Sequence, residues 1–425
     1  MLKLYETSNF RTLYDILKIN MKASSIKELE NKPFDYNSNK YLSTKVIYGA
    51  NAVGKSNIIL SMAVLKNIVE YKGLNENSEY GNYSIYSNLI DEEKYLEPIS
   101  FHIIFDNKNS KYDYSLKIKN DNVHQTSICY EKLLINEDLI LERNENKLNI
   151  NFDKSILKKY YNEITDDYLK KTAEIYSKDI NNNSKIFNSY LQFADEICNP
   201  FNEFFDKFKA ILNINDVVFK YNSFEDVKSK KIYNHLFKSI ISKSDFGPQK
   251  IYYRASQEND SNLLTMTSEY ALNSKESEDV AVLTIDSKYT ESLGTRNLLK
   301  LTAVVFDVIS RGGFLAIDEM DASINGEIIA GIINLFSDPE INKKNAQIIF
   351  TTHNPIYLTG DIFRRDEIMF LEKDKETHLS KGFTLHDLNI RNDENYLKNF
   401  INGNYMRINP IDFNEIYNNT MRDND

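Results

Sequence analysis

One stretch of the chain decides the fold, and it reads Lys45-Val46-Ile47-Tyr48-Gly49-Ala50-Asn51-Ala52-Val53-Gly54-Lys55-Ser56-Asn57-Ile58-Ile59-Leu60. Within it, residues 49–56 match the pattern G-x-x-x-x-G-K-[ST], which is typical of a phosphate-binding P-loop. An apolar run suited to a β-strand precedes the motif, and a helix-type run at residues 57–69 follows it. Strand, glycine-containing loop and helix in this order predict a loop that wraps a phosphate chain. The alternative is a chance match in a glycine-containing turn.

The residue types in this loop suit dense negative charge. Gly49 and Gly54 permit a backbone path that turns N–H groups toward phosphates, with a helix N-terminus beneath them. We expect Lys55 to contact the β- and γ-phosphates and to act in catalysis, and we expect the Ser56 hydroxyl to coordinate Mg²⁺. The expected substrate is ATP with Mg²⁺. Further nucleotide contacts are expected from Asn51, Ala52, Val53, Asn57 and Arg11.

Composition excludes several classes of protein. The 425 residues carry a formal net charge of −10 and a pI near 5.3, which argues against a protein that coats nucleic acid through bulk charge. Cys129 and Cys198 lie far apart without CxxC spacing, so neither a disulfide framework nor a zinc site is indicated. No apolar run of 18 residues and no signal-peptide pattern occurs, so we expect a cytoplasmic protein without membrane contact.

Changes in pattern divide the chain into three expected parts. We expect an N-terminal lobe with the P-loop at residues 1–150, a helical insertion at residues 151–250 and a C-terminal lobe at residues 251–425. The first part should open with a hairpin beside the P-loop strand, joined through Asn9-Phe10-Arg11. It should continue after residue 99 as an antiparallel meander of strands. Arg11 and Tyr48 are as well suited to packing as to touching a nucleotide.

The hydrophobic period changes in the later parts of the chain. Apolar residues recur at helical spacing late in the insertion, as in Phe201, Phe204, Phe205, Phe208, Ile211 and Leu212. Residues 255–279 are rich in Ser, Asn and Glu and predict loop and mixed structure. Beyond residue 280, apolar strand runs alternate with helical runs and predict a buried, mainly parallel sheet, with Val280–Asp286 among its strands.

One of these strands ends in two adjacent carboxylates. The segment Gly313-Phe314-Leu315-Ala316-Ile317-Asp318-Glu319 has the layout of a Walker B motif. Asp318 at the end of the strand can hold the Mg²⁺ shell, and Glu319 can orient and deprotonate the attacking water. The structural alternative is a buried strand followed by an acidic turn. The P-loop upstream in the same chain favours the Walker B interpretation over this alternative.

Two weaker motifs accompany this strand. Thr351-Thr352-His353 follows the next strand, and parallel pairing would deliver His353 to the same sheet edge, where its imidazole can contact the γ-phosphate. Standing alone, a His after a strand is more often structural. Ser292, Gly294 and Thr295 precede a helix whose N-terminus could cap a γ-phosphate, or Ser292 could simply N-cap that helix.

These motifs, in this order, resemble those of the ATP-binding-cassette and SMC-type ATPases. More narrowly, the chain is similar to AAA family ATPases of abortive-infection and anti-phage systems, of the AbiL and RloA type, which are related to the ATPases of Septu and PARIS defence and to the ATPase half of OLD nucleases. The segments that carry this narrower resemblance are residues 9–11, 48–51, 291–296, 317–323, 345–353 and 364–366, together with a tail that contains Arg391, Asp393 and Tyr405. The resemblance implies an α/β fold, namely a P-loop NTPase head of the ABC/SMC type with an antiparallel β subdomain and a helical insertion.

The resemblance also implies a mechanism. Two copies would face each other, so that Ser292, Gly294 and Thr295 of one copy complete the nucleotide site of the other in a homodimer or a higher homo-oligomer. ATP would hold the copies together, and hydrolysis would release them. Only 72 residues follow His353, fewer than the nuclease domain of OLD-type proteins needs, so we expect a separate effector nuclease or toxin, with DNA or a phage protein as the trigger.

Two other functions stay open. A RecF-like or SMC-like ATPase of DNA repair would use the nucleotide to gate DNA binding, although the acidic net charge and the lack of long heptad arms weigh against it. A scaffold that binds ATP without hydrolysis and holds a toxin inactive would retain nucleotide without turnover. Leu293-Gly294-Thr295 stands where cassette transporters have a double Gly and a Gln, so a transport role is not implied.

Overall fold

The computed structural model describes residues 1–75, 85–89, 92–122, 125–144, 147–150, 185–189, 195–217, 236–242, 247–255, 264–273, 280–374, 376–388, 390–391, 394–406 and 413–422. Much of the expected helical insertion, including residues 151–184 and 218–235, lies outside these described residues. The division of the chain into three parts therefore stays a prediction.

The described residues form both strands and helices. The strands are β1 (Leu2–Ser8), β2 (Leu17–Asn20), β3 (Phe34–Tyr36), β4 (Asn39–Tyr41), β5 (Thr44–Gly49), β6 (Ile99–Asn107), β7 (Ser110–Asn122), β8 (Gln125–Ile135), β9 (Asp138–Asn144), β10 (Lys147–Ile150), β11 (Phe208–Ile211), β12 (Lys250–Ala255), β13 (Leu264–Asn273), β14 (Val280–Asp286), β15 (Phe314–Ile317), β16 (Gln347–Thr351), β17 (Ile368–Lys373) and β18 (Ser380–Thr384). The helices are α1 (Lys55–Glu70), α2 (Glu92–Leu96), α3 (Asp195–Asp206), α4 (Ser287–Thr290), α5 (Leu293–Arg311), α6 (Gly326–Ser337), α7 (Tyr396–Ile401) and α8 (Phe413–Arg422). Within the described ranges, no helix has both the length and the apolar character that a membrane span requires.

The P-loop strand lies inside a six-stranded sheet with the order β11-β15-β16-β5-β17-β18. Neighbouring strands are parallel except for the antiparallel pair β17 and β18. Every residue of β5, β15 and β16 is buried, as in a parallel sheet covered on both faces. This confirms the predicted mainly parallel sheet, and it places the carboxyl ends of these three strands side by side.

A second sheet is antiparallel and has seven strands in the order β10-β9-β8-β7-β6-β1-β2. Strands β6 to β9 confirm the predicted meander, and β1 with β2 confirms the predicted hairpin. The predicted place of the hairpin was wrong, because β1 pairs with β6, while β5 already has β16 and β17 on its two sides. The alternating pattern of β1 fits an antiparallel sheet with one solvated face better than a fully buried parallel one.

Helix α1 lies between the two sheets. Its apolar side chains share one buried cluster with Tyr5 and Phe101 of the antiparallel sheet and with Ile349 of the parallel sheet. Tyr5 also donates a hydrogen bond to Ser61 Oγ of the helix at 2.9 Å. Residues of α5 and α6 belong to a second cluster on the opposite face of the parallel sheet. The P-loop strand is therefore held in a layered core, and only its carboxyl end reaches the edge.

The predicted run of helix near residue 208 was wrong. Helix α3 ends at Asp206, and Phe208–Ile211 forms strand β11, which pairs in parallel with β15. Phe208 and Ile211 are both buried in the strand. Apolar residues spaced three apart lie on one face of a helix. The same spacing also fits the two ends of a short buried strand, so it does not by itself distinguish a helix from a strand.

Two further predictions were wrong in the segment that precedes α4. Residues 264–273, expected as loop and mixed structure, form the regular strand β13. Val280–Asp286 pairs with it in a separate three-stranded antiparallel sheet rather than in the parallel sheet. Val282 and Leu283 are exposed on this strand. The apolar run therefore resembled a buried strand, although its side chains are not covered within the described part of the chain.

One imidazole links three strands of the antiparallel sheet and makes stability depend on pH. His102 Nδ1 lies 2.8 Å from Glu6 Oε2, and His102 Nε2 lies 2.9 Å from Asp113 Oδ1. The hydrogen bond to Asp113, helped by that to Glu6, raises the pKa of His102 in the folded protein. Because the pKa is raised in the folded protein, these two interactions stabilise the fold fully at pH values below the ordinary pKa of about 6.5. This stabilisation is lost as the pH rises through the pKa of His102 in the folded protein.

We expect His102→Gln to lower the free energy of unfolding at pH 6 by about 1 kcal/mol, because a neutral amide replaces a charge-assisted bridge. At pH 8.5 the loss should be much smaller. Urea denaturation at both pH values measures the difference. His378→Asn replaces an exposed histidine and is the control. It should change the free energy of unfolding by the same amount at both pH values. An equal loss at both pH values in His102→Gln would show that the bridge is not ionic.

Candidate active site

The loop after β5 has the backbone of a phosphate cradle. Gly54 adopts a left-handed φ of 99°, and Ala52 also has a positive φ of 62°. A Cβ at Gly49 would lie 2.7 Å from Val53 Cγ2 and 2.8 Å from the Leu371 carbonyl oxygen, and one at Gly54 would lie 2.5 Å from Thr12 Oγ1. Both glycines are therefore required by space, and Gly54 also by conformation. The cradle fits the phosphate chain that the sequence predicts.

The N-terminus of α1 points its positive dipole end into this cradle. The helix has 16 residues, no side chain caps its first turn, and no acidic residue lies there. The loop residues Asn51, Ala52 and Ser56 are exposed, whereas Val53 is buried. An uncapped helix N-terminus beneath an exposed glycine loop is a favourable place for an anion.

The side chain of Lys55 bonds to the loop that immediately precedes it. Its Nζ donates hydrogen bonds to the carbonyl oxygens of Gly49 at 2.8 Å and Ala50 at 2.9 Å. Burial lowers the pKa of Lys55 to about 8, although the nearby carboxylates of Asp318 and Glu319 act in the opposite direction. The ammonium group is therefore electrostatically coupled to both predicted Walker B carboxylates, across more than 260 residues of sequence.

The two carboxylates at the end of β15 differ in exposure. Asp318 is only 7% exposed, while the side chain of Glu319 is 58% exposed. Thr351 at the end of β16 donates a hydrogen bond to Asp318 Oδ1, and its hydroxyl accepts the backbone N–H of Glu319 at 2.8 Å. Asp318 is thus fixed within the core edge, and Glu319 faces solvent.

His353 lies next to Glu319, as parallel pairing predicts. The distance from His353 Nε2 to Glu319 Oε1 is 3.7 Å, and the imidazole is 43% exposed. Burial and the positive charge of Lys55 lower the pKa of His353, which favours the neutral imidazole. A neutral imidazole can donate one hydrogen bond and accept another. Lys55, Glu319 and His353 therefore share one region at the sheet edge.

The opening hairpin reaches the P-loop through Thr12, a residue that the sequence analysis did not single out. Thr12 Oγ1 accepts a hydrogen bond from Asn57 Nδ2 at 2.9 Å, and the Thr12 carbonyl accepts the N–H of Ser380 at 3.1 Å. Ser380 Oγ in turn donates to the Val53 carbonyl at 2.7 Å. Arg11 precedes Thr12 with a left-handed φ of 55°, and its guanidinium carbon lies 5.8 Å from the centre of the Phe10 ring.

Tyr48 is a packing residue in this structure. Its side chain is fully buried, with ring centroids of Phe370 and Phe400 at 6.0 and 5.7 Å. Its hydroxyl donates to the Asn354 carbonyl at 3.3 Å. Of the two alternatives for Tyr48, these contacts favour packing over contact with a nucleotide.

Ser292, Gly294 and Thr295 form the N-terminus of α5. Ser292 Oγ accepts the N–H of Thr295 at 3.0 Å, so Ser292 caps its own helix. A Cβ at Gly294 would collide with the Ser323 carbonyl oxygen, so only glycine lets this helix approach the loop after Glu319. In the described residues of a single chain, no hydrogen bond or ion pair joins Ser292 to the P-loop.

The oxygen donors near Lys55 suit magnesium. Ser56 offers an exposed hydroxyl at the start of α1, and Asp318 offers a carboxylate that the coupling to Lys55 places nearby. Mg²⁺ is commonly held by one or two protein oxygens together with phosphates and water. In the described ranges, no group of three or more His, Cys, Asp and Glu side chains could hold a metal on its own. The donor set therefore fits Mg²⁺ bound together with a phosphate chain.

Comparisons with solved structures return SMC heads at low identity. The SMC head bound to the C-terminal winged-helix domain of ScpA is 13% identical, with 92% of this chain and 99% of that chain covered and a TM-score of 0.42. The SMC head domain of Thermotoga maritima is 11% identical, covering 90% and 98%, with a TM-score of 0.37. A head with coiled coil and joint from Pyrococcus yayanosii is 10% identical, covering 92% and 99%, with a TM-score of 0.43.

The family assignment rests on a family model instead. No curated protein matched the sequence. The model that matches residues 46–358 is described as "AAA domain, putative AbiEii toxin, Type IV TA system". The matched range spans most of the chain and runs from β5 past His353, so it contains the P-loop and the carboxylates that follow β15. The chain belongs to this AbiEii-type AAA family of P-loop ATPases.

Proposed function

We propose that the chain is a Mg²⁺-dependent ATPase of an anti-phage, abortive-infection type defence system, which dimerises around ATP and controls a separate effector nuclease or toxin. The observation that supports the enzymatic part most strongly is the convergence at one sheet edge. Lys55 is coupled to Asp318 and Glu319, and Glu319 lies 3.7 Å from His353. A catalytic carboxylate beside a neutral imidazole, above a phosphate cradle, is an arrangement suited to hydrolysis of a phosphoanhydride.

Each residue would have a distinct task in that reaction. Lys55 and the N-terminus of α1 bind the β- and γ-phosphates, and Ser56 with Asp318 holds the cation, which neutralises charge on the phosphates. Glu319 orients a water molecule and accepts its proton as the water oxygen bonds to the γ-phosphorus and the bond to the β–γ bridging oxygen breaks. His353 donates a hydrogen bond to the γ-phosphate and keeps Glu319 in position.

Exposure of the catalytic groups supports a site completed by a second copy. The side chains of Glu319 and His353 are 58% and 43% exposed, whereas hydrolysis of ATP favours a site from which bulk water is excluded. The N-terminus of α5, with Ser292 and Gly294, makes no described hydrogen bond with the P-loop of its own chain. A partner copy that presents this helix N-terminus would both cover Glu319 and place N–H groups against the γ-phosphate.

The defence role is supported by the family description, which names a toxin and a type IV toxin–antitoxin system. The net charge of −10 favours a protein partner over bulk binding to nucleic acid. A DNA-gated repair ATPase is the competing proposal, and it requires an affinity for duplex DNA that falls steeply as salt concentration rises. A scaffold that holds a toxin would retain ATP without measurable turnover.

Replacement of Gly54 by Ala tests the cradle. A left-handed φ costs a non-glycine residue about 1–2 kcal/mol, and the added Cβ would press on Thr12. We expect Gly54→Ala to weaken binding of a fluorescent ATP analogue at least tenfold. Gly331→Ala is the matched control, because a Cβ at Gly331 meets nothing within 4 Å. The idea fails if Gly54→Ala binds the analogue as tightly as Gly331→Ala does.

Replacement of Glu319 by Gln tests hydrolysis. Loss of the general base should slow turnover by about 100-fold or more, while ATP stays bound. Light scattering during gel filtration should then show an ATP-dependent dimer that persists. Glu340→Gln, a change at an exposed carboxylate, should behave as the wild type does. Equal turnover in Glu319→Gln and wild type would rule out the role given to this residue.

Replacement of Ser292 by Asp tests completion of the site in trans. Asp caps a helix as well as Ser does, so α5 should stay intact, but the added negative charge would repel a γ-phosphate. In the Glu319→Gln background we expect Ser292→Asp to keep its melting temperature and its nucleotide binding but to lose the ATP-dependent dimer. Asn395→Asp adds the same charge at the N-cap of α7 and is the control. A dimer of undiminished strength would contradict the trans arrangement.

A further inference from the structure

One threonine hydroxyl connects the two carboxylates that the proposed reaction needs. Thr351 Oγ1 donates its only proton to Asp318 Oδ1 and accepts the backbone N–H of Glu319 at 2.8 Å. The Thr351 carbonyl also accepts the N–H of Met320 at 3.2 Å. The end of β16 thus holds three consecutive residues of the turn that follows β15.

That turn needs holding, because Glu319 has a left-handed backbone. Its φ is 46°, a region that costs a residue with a Cβ about 1–2 kcal/mol. The hydrogen bond from Glu319 N–H to Thr351 Oγ1 can form only while the turn keeps this shape. The left-handed step at Glu319 also separates the two side chains, so that Asp318 stays at the buried edge and Glu319 faces solvent.

Burial makes the contact hard to replace by water. Thr351 is fully buried and Asp318 nearly so. Without the hydroxyl, a buried carboxylate oxygen and a backbone N–H would each lose a partner. Thr352 repeats the arrangement one residue later, since its hydroxyl donates to Asp321 Oδ2 at 2.8 Å and accepts the N–H of Asn354 at 2.9 Å. The two threonines therefore fix both the carboxylate turn and the backbone around His353.

We propose that Thr351 is a positioning residue of the ATPase site, which aims Asp318 at the metal and Glu319 at the attacking water through one shared hydroxyl. The inference rests on the proposed hydrolytic function. Thr351 itself touches neither the nucleotide nor the water. Groups that orient metal ligands and catalytic side chains in this way commonly contribute about 10- to 100-fold in activity or in metal affinity.

Thr351→Val keeps the β-branched shape and removes the hydroxyl. We expect kcat for ATP hydrolysis to fall about 10- to 100-fold, while KM for ATP changes less than about threefold. Thr351→Ser restores the hydroxyl and should bring kcat back to within about threefold of the wild type. Thr351→Cys carries a thiol that forms only weak hydrogen bonds, so it should lose activity as Thr351→Val does. It takes the place of Thr351→Val in the test if that variant does not fold.

The matched control lies on the neighbouring strand. Thr44 is a buried threonine at the start of β5 whose hydroxyl donates to the buried carboxylate of Glu367, at the opposite edge of the same sheet. Thr44→Val should destabilise the fold to a similar extent but leave kcat within about twofold of the wild type. If Thr44→Val loses as much activity as Thr351→Val, the effect is one of general stability and the proposal is overturned.

A second readout separates this inference from the proposed function. Binding of a fluorescent ATP analogue is titrated with Mg²⁺, and Thr351→Val should need about tenfold more Mg²⁺ for half-saturation. An unchanged Mg²⁺ requirement together with an unchanged kcat overturns the role of Thr351, while the hydrolytic function stands if turnover still depends on Glu319. If the wild type has no turnover, hydrolysis fails as a function, and the Mg²⁺ titration alone decides whether Thr351 positions Asp318.

Discussion

Parallel pairing of β15, β16 and β5 is the constraint on which the rest of the structure depends. The register sets Ile317 opposite Phe350 and Thr351 opposite Ile47, so the three strands end at almost the same level. All three strands are buried throughout, and their backbone groups have no alternative partner in water. Groups far apart in sequence therefore meet at one edge without any need for a shared loop or a bound metal to bring them together.

At that edge, the groups that would bind the nucleotide are more deeply buried than those that would hydrolyse it. Lys55 and Asp318, which would hold phosphate and metal, are 5% and 7% exposed. Backbone carbonyls hold Lys55, and the hydroxyl of Thr351 holds Asp318. Glu319 and His353, which would carry out the hydrolysis, lie just after β15 and β16, and their side chains are 58% and 43% exposed. In the proposed reaction, binding of a nucleotide would need only the first pair. Turnover would need the second pair to be covered, so a partner that supplies the cover would control the rate.

The sequence predicted the strand–loop–helix of residues 45–69 and the strand ending at Asp318 because the chemistry there restricts residue types tightly. It also predicted the nearness of His353 to Glu319, which follows from strand order. It missed Thr12 and Ser380, which contact the P-loop region, because a polar residue on a turn or at the start of a strand has no distinctive pattern. It misplaced the opening hairpin and the strand Val280–Asp286, since alternation and apolar runs define a strand but not the sheet that accepts it.

The opposite end of the parallel sheet explains how the edge stays rigid. Arg364 is fully buried there and makes two hydrogen bonds of 3.0 Å to Asp366, while its other N–H groups reach the carbonyls of Ser24 and Glu28. Lys45 of β5 donates to the Asp366 carbonyl at 2.9 Å. A buried ion pair contributes little net stability compared with apolar packing, but it tolerates only one arrangement of its partners. Lys45 thus ties the start of β5 to Asp366, just before β17, and favours the register in which the loop at the other end of β5 lies beside the carboxylates.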